Sequence, residues 1–223
     1  MGTLKDIQPI FEDPTRTIGK RNYSPGDSLR SIDWKTSASL GRLQVKKYES
    51  SIELQTAIFL NLRAEDYPIR TRHHDTELAI TTAASIANWS EQRKQVYGLW
   101  VNGSDSLDFE QPAQPLQAKK GRGHLMTLFE LLARVETISG PDFVPFIHHQ
   151  RVQLSWGTTL VIITPHASDA LFDEIYQIHR AGNQCLLLLC GLNSNYKDIR
   201  HLSSHARILV RQSRNEQDLE RLH

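Results

Sequence analysis

The pattern of apolar and polar positions changes near residue 50. Before that point apolar residues are sparse and follow no sustained period; after it, continuous apolar runs alternate with stretches of helical periodicity. "IELQTAIFLNL" (52–62) is β-branched and apolar toward its end and predicts a buried strand. "DTELAITTAASIANWSEQRK" predicts a helix with Ile80, Ala83, Ala84 and Ala87 on one stripe and Asp75 or Thr76 as its cap. "QVYGLWVNG" (95–103) is a second strand ended by a turn signal, and the Pro- and Gly-bearing "DSLDFEQPAQPLQAKKGRG" predicts a loop or short hairpin. "HLMTLFELLARVE" places Leu125, Leu128, Phe129, Leu132 and Val135 on one helical face, and "PDFVPFIHHQRVQLSW" predicts a further helix. "TTLVIITPH" (158–166) is a buried strand, followed by "SDALFDEIYQIHRAG", a helix capped by Ser168 and closed by Gly182. "QCLLLLCGL" is another buried strand, "ARILVRQS" a weaker last one, and "NEQDLERLH" a terminal helix.

Strand–helix alternation with continuous apolar strands predicts an α/β domain over residues 51–223. Its sheet is doubly wound, Rossmann-like, mostly parallel and flanked by helices, with residues 1–50 as an N-terminal extension. Ligands of such folds bind beyond the C-terminal ends of the strands. The places to inspect are therefore 61–66, 102–105, 164–166 and 191–195.

Composition sharpens this only locally. The 223 residues are 39% hydrophobic and 23% charged, a balance typical of a folded, soluble chain. A formal net charge of +1 gives no global reason to expect nucleic acid. Between Arg16 and Lys47, however, eight Lys and Arg stand against two Asp. Cys185 and Cys190 lie five apart on one predicted strand, so they face opposite sides, do not pair with each other, and fit a reducing compartment. No apolar run approaches the ~18 residues a membrane span needs, and no secretory leader opens the chain.

The basic stretch contains "YSPGDSLRSIDWKTSA" (23–38), followed by "VKKYES". This strongly resembles the signature of the bacterial proteins called domain of unknown function 58, in which it directly precedes a von Willebrand factor A-like domain. The resemblance implies a non-enzymatic adaptor whose genes neighbour those of MoxR-type AAA+ ATPases, acting in assembly or maturation of another complex. It also implies N-terminal membrane helices, outside this chain, that would hold the domain at the cytoplasmic face of the inner membrane. The fragment itself would be soluble.

A chemical account of the signature, Tyr23, Pro25, Gly26, Asp27, Arg30, Asp33 and Trp34, stands beside it. Pro25 and Gly26 suit the centre of a type II turn, and Asp27 can cap a short helical turn, "SLRSIDW". Arg30 and Asp33 are spaced to pair, and Trp34 offers an apolar body able to pin the segment down. "RLQVKKY" follows as an edge strand, its lysines discouraging further pairing. Arg21, Arg30, Lys35, Arg42 and Lys46 form a candidate surface for an acidic or phosphate-bearing partner.

Von Willebrand A-type domains often seat a divalent cation on an Asp-x-Ser-x-Ser motif after the first strand, completed by a Thr and an Asp from later loops. The matching stretch here is "FLNLRAEDY": Asn61 replaces the Asp, Arg63 and Glu65 the two Ser, and Pro165-His166 stand where a later Asp is expected. A hard cation needs carboxylate oxygens. A fixed guanidinium ~4 Å away would repel a unit charge by about 4 kcal/mol at an effective dielectric of ~20. The expectation is a degenerate site without metal or other cofactor, in which Arg63 either occupies the vacant position and pairs with Glu65 or Asp66, or points into solvent. Arg63, Glu65, Asp66 and His166 are then candidate partner-binding residues.

Other chemistry is thinly represented. The pairs His73-His74 and His148-His149 diverge by ~100° on a helix and make no two-ligand face. No His-Glu-x-x-His or Gly-x-Ser-x-Gly motif occurs, and no catalytic residue is nominated. "GRG" at 121–123 precedes a helix that can attract an anion, but it lacks a P-loop Lys-Ser/Thr; in the resembled family a glycine–arginine stretch here stands near the metal site's Thr ligand. The expected role is protein binding without catalysis. The alternatives are a hydrolase with a non-standard site at the strand ends or a purely structural piece of a membrane protein.

Overall fold

The computed structural model describes residues 13–23, 32–49, 55–191, 196, 199 and 208–219. The chain divides into two compact units, Met1–Glu53 and Leu54–His223.

In the first unit, β1 (Asp13–Asn22) and β2 (Gln44–Glu49) form an antiparallel ribbon with Lys20 opposite Lys46 and Arg21 opposite Val45. The helix α1 (Trp34–Leu40) stands before β2. Asp33 caps it by accepting from the Thr36 N–H at 3.0 Å, and Gly41 closes it in the left-handed region at φ 63°. One expectation needs correction. The described end of "SLRSIDW" is not helical: Ile32 bridges Val45 in extended form, and the helix begins at Trp34. Asp33 pairs with Lys20 at 2.8 Å. The Trp34 side chain is 66% exposed. The expectations for Pro25, Gly26, Asp27 and Arg30 lie outside the described residues.

The second unit runs through β3 (Gln55–Leu60), α2 (Arg72–Gln92), β4 (Val96–Val101), β5 (Ser104–Asp105), β6 (Asp108–Pro112), β7 (Leu116–Lys119), α3 (Arg122–Leu132), β8 (Val135–Glu136), α4 (Phe143–Arg151) and β9 (Thr159–Thr164). Then come α5 (Asp169–Arg180), β10 (Gln184–Cys190), β11 (Leu209–Ser213) and a short helix, Glu216–Leu219. The main sheet runs β11-β10-β9-β3-β4-β7, all parallel except β7, which is antiparallel to β4. This is the mostly parallel sheet flanked by helices that the alternation predicts.

Strand periodicity sorts the core into two layers. Ile58 and Leu60 of β3 pack with Ala79 and Ala83 of α2 and Leu125 and Leu128 of α3. Ala57 and Phe59 belong to the other layer, with Phe143 and Ile147 of α4 and Leu171, Ile175 and Ile178 of α5. Cys190 lies in the first layer and Cys185 in the second, both free and buried, as the odd spacing requires. Burial pushes the Cys190 thiol up to about 12.

Some boundaries moved. The helix α2 starts at Arg72, so Asp75 is not its cap; it is a buried first-turn residue taking the Thr71 hydroxyl at 2.6 Å. The "loop or short hairpin" contains a real hairpin, β5–β6, and also the edge strand β7 of the main sheet. At Gly98, opposite β7, an added Cβ would lie 2.8 Å from the Leu116 carbonyl oxygen, so only glycine lets the two backbones approach this closely.

Candidate functional site

The strands β3 and β9 are neighbours, yet α2 after β3 and α5 after β9 cover opposite faces. The chain therefore diverges between their C-terminal ends, the position at which doubly wound sheets open a crevice. A cleft of about 390 Å³ lies there, lined by the residues ending β3 and β9 and by the first turns of α4 and α5.

Its floor is a polar network anchored on Asn61, which is almost wholly buried. The Asn61 amide donates to Asp66 at 2.8 Å and to the Thr164 hydroxyl at 3.1 Å, and its oxygen accepts from the Arg63 N–H at 3.0 Å. The buried Tyr67 hydroxyl donates to the Asn61 carbonyl, and burial holds this phenol well above its ordinary pKa. Neighbouring Asn102 accepts from the Leu62 N–H at 2.7 Å, fixing the path of the loop that leaves β3.

Arg63 is the centre of the charge arrangement. Its Nη1 lies 3.1 Å from Asp66 and 2.7 Å from Asp142; Nε donates to the Gly140 carbonyl at 3.1 Å and stands 3.5 Å from Glu65. The backbone follows the same path, with the Ala64 N–H donating to Ile138 O at 2.9 Å and the Ile138 N–H to Leu62 O at 3.3 Å. Arg63 thus ties the loop after β3 to the segment before α4. Glu65, at the rim, is held below the usual carboxylate range by its own backbone N–H and the Ser139 hydroxyl. On the other side Ser168 caps α5 by accepting from the Leu171 N–H. Phe143, Val144, Pro145 and Leu171 supply an apolar wall.

The structure therefore brings Asn61, Arg63, Asp66 and His166 to one cleft, with Glu65 beside it. Lys35 and Arg42 belong to the first unit and are exposed; Arg30 lies outside the described residues. Of the other inspected strand ends, Asp105 is engaged by the Arg134 guanidinium at 3.1 Å, and 192–195 lie outside the described residues. Asp142 and the apolar turn after it were missed by sequence reasoning. "GPD" before a helical stretch marks an N-terminus, but nothing local says that its Asp will meet Arg63.

The "GRG" stretch does not reach this site. The Gly121 N–H donates to Glu91 at 2.9 Å and His124 contacts the Tyr97 carbonyl at 2.8 Å, which places the start of α3 at the opposite, N-terminal end of β4. The Glu91 carboxylate already occupies the anion position that the sequence left open there. Among the described residues, no three His, Cys, Asp or Glu side chains are grouped to hold a metal ion. Also among them, no helix is long and apolar enough to cross a membrane.

The fold has relatives at low sequence identity. A von Willebrand factor type A structure from Catenulispora acidiphila matches with TM-score 0.50 and 10% identity, over 79% of this chain and 41% of that one. An aerotolerance-related membrane protein from Bacteroides fragilis, carrying multiple mutations to serine, matches at 0.51 and 13%, over 76% of this chain and 96% of that one. Proximal thread matrix protein 1 from the mussel byssus matches at 0.53 and 9%, over 76% and 46%. The match thus spans about two fifths of the first structure and less than half of the third. These likenesses establish a von Willebrand A-like fold. No curated protein matches the chain in sequence. The profile of the family described as protein of unknown function DUF58 matches residues 19–151, more than half of the sequence, and the chain belongs to that family.

Proposed function

We propose that this is a non-catalytic protein-interaction domain whose cleft between β3 and β9 grips a partner, with a degenerate metal-ion site at its floor. The observation that carries this reading is the Arg63 guanidinium lodged among Asp66, Asp142 and Glu65. A divalent cation at that position would meet a fixed positive charge and the donor side of the Asn61 amide, so the residues present do not fit one. The DUF58 profile and the von Willebrand A-like fold support a binding role.

The partner we assign is a MoxR-type AAA+ ATPase, with the domain acting as an adaptor in assembly or maturation of another complex. In this reading it is tethered at the cytoplasmic face of the inner membrane by helices outside this chain. Binding draws on the cleft side chains, on the exposed basic residues Lys35, Arg42 and Lys46 of the first unit, or on both. The test is co-purification of the purified chain with a MoxR-type ATPase of the same organism. The expected result is a saturable complex that Asp142→Arg, at the rim of the cleft, weakens. No complex, with or without nucleotide, would remove the adaptor reading.

A further inference from the structure

The chemistry of the cleft specifies more than an unnamed partner. Nε and Nη1 of Arg63 are engaged, but Nη2 makes no hydrogen bond with a described residue, and the side chain lines the cleft with 27% of its surface exposed. Asp142 engages Arg63 through Oδ1 only, and its side chain is 66% exposed. The Arg63 guanidinium faces the carboxylates of Asp66, Asp142 and Glu65, and Arg72 also acts on Glu65, which still leaves an excess of negative charge at the mouth. Beside that mouth runs the apolar surface of Phe143, Val144 and Pro145.

An aliphatic stem with a cationic head matches this combination: the stem covers apolar wall while the head stays at the polar rim. An acidic side chain matches it poorly. At Nη2 it would gain one attraction and meet three like charges close by. The unpaired Nη2 donor wants an acceptor that brings no charge, which a backbone carbonyl supplies.

Resting on the reading of this cleft as a partner-binding site, we propose that it receives a lysine or arginine side chain from an extended segment of the partner protein. The stem lies along Phe143, Val144 and Pro145. The head sits on the open oxygen of Asp142, and a backbone carbonyl of the same segment accepts from Nη2 of Arg63. A cleft of about 390 Å³ is near the lower end for ligand pockets, the size for one side chain with its flanking peptide.

The experiment titrates the full chain, labelled with nitrogen-15, with acetyl-Gly-Lys-Gly-amide and separately with acetyl-Gly-Glu-Gly-amide at low salt. The expected result is saturable movement of the Arg63, Asp66, Phe143 and Ala170 amide signals with the lysyl peptide alone, fading as salt is added. The Asp142 side chain makes no capping hydrogen bond to α4 and Asn keeps its shape, so the fold should persist in Asp142→Asn; the change is expected to weaken the lysyl peptide roughly five-fold or more, as loss of a charge-assisted contact does. Equal or tighter binding of the glutamyl peptide, no saturable movement with either, or an unchanged response in Asp142→Asn would overturn the proposal. An ATPase complex that an excess of the lysyl peptide leaves intact would sink this assignment and spare the adaptor reading. A lysyl peptide that binds while no ATPase is captured would do the reverse.

Discussion

Arg63 Nη1 sits 2.7 Å from Asp142 Oδ1, so a residue just past β3 holds the first turn of α4. The contact joins two loops far apart in sequence, and Asp142 is the most exposed of the three carboxylates around Arg63, whereas Asp66 is largely covered. The same guanidinium therefore both organises the cleft floor and reaches its rim.

Replacing Arg63 with Met should cost about 1–2 kcal/mol of unfolding free energy. Asp66 keeps its bond from Asn61 but loses a charge-assisted partner in a partly buried place. The rim pair to Asp142 contributes little of this, because exposed ion pairs are worth at most ~1 kcal/mol. Urea unfolding of Arg63→Met, Asp142→Ala and the double variant measures both amounts; a coupling above ~1 kcal/mol would contradict the division.

The buried carboxylate of Glu174 on α5 should be a sharper weak point. It is only 7% exposed and is held by Arg151 of α4, with His148 Nδ1 at 3.1 Å. Arg151→Ala leaves that carboxylate under-compensated and should destabilise by ~3 kcal/mol, whereas Glu174→Gln combined with Arg151→Met should recover much of the loss. Thermal or chemical unfolding of the three proteins decides it. Equal stability of Arg151→Ala and the parent would refute the account.

Asp33 offers a check on the first unit. Its bond from Lys20, then the Thr36 N–H, lowers its pKa to about 2 from an ordinary 3.8. A depressed carboxylate stabilises the folded form fully above its unfolded pKa, and that contribution disappears as pH falls through the folded value. The window is therefore from about pH 4 down to about 2. Carboxyl-carbon NMR should place the Asp33 midpoint near the bottom of it, and Lys20→Met should move the midpoint upward. A midpoint unaffected by that change would show that Lys20 is not the cause.

The strands and their burial were legible because continuous apolar runs admit few other structures. The opposite placement of Cys185 and Cys190 followed from a period of two. The edge strand β7 was not legible: four residues alternating only weakly, between Pro115 and Gly121, carry no pattern beyond a loop's, and it is pairing with β4 that makes them a strand. The start of α2 was misread because Asp75, which looks like a cap, spends its carboxylate on Thr71 inside the fold, where it lies against Gly191. At the cleft, Asn61, Arg63, Asp66 and His166 could be named from their place after apolar strands. Asp142 could not, since its role depends on a contact that only the folded chain creates.

The cation question has a direct experiment. With Arg63 in place, millimolar Mg²⁺ should produce no saturable rise in melting temperature. The ion would need to displace a guanidinium already matched to Asp66 and Asp142, and Asn61 presents N–H groups toward Asp66 and Thr164. Asn61→Asp with Arg63→Ser exchanges both obstacles for oxygen, leaving carboxylates at 61, 66 and 142 around one small volume. Hard cations bind such oxygen sets, and a ligand at 100 times its Kd stabilises by about 2.7 kcal/mol. For a domain of this size that is a rise of roughly 5–11 °C at the ~2–4 °C per kcal/mol typical of it. Saturable Mg²⁺ stabilisation of the parent chain itself would show that Arg63 leaves the position when the ion arrives, and the degenerate-site reading would fall with it.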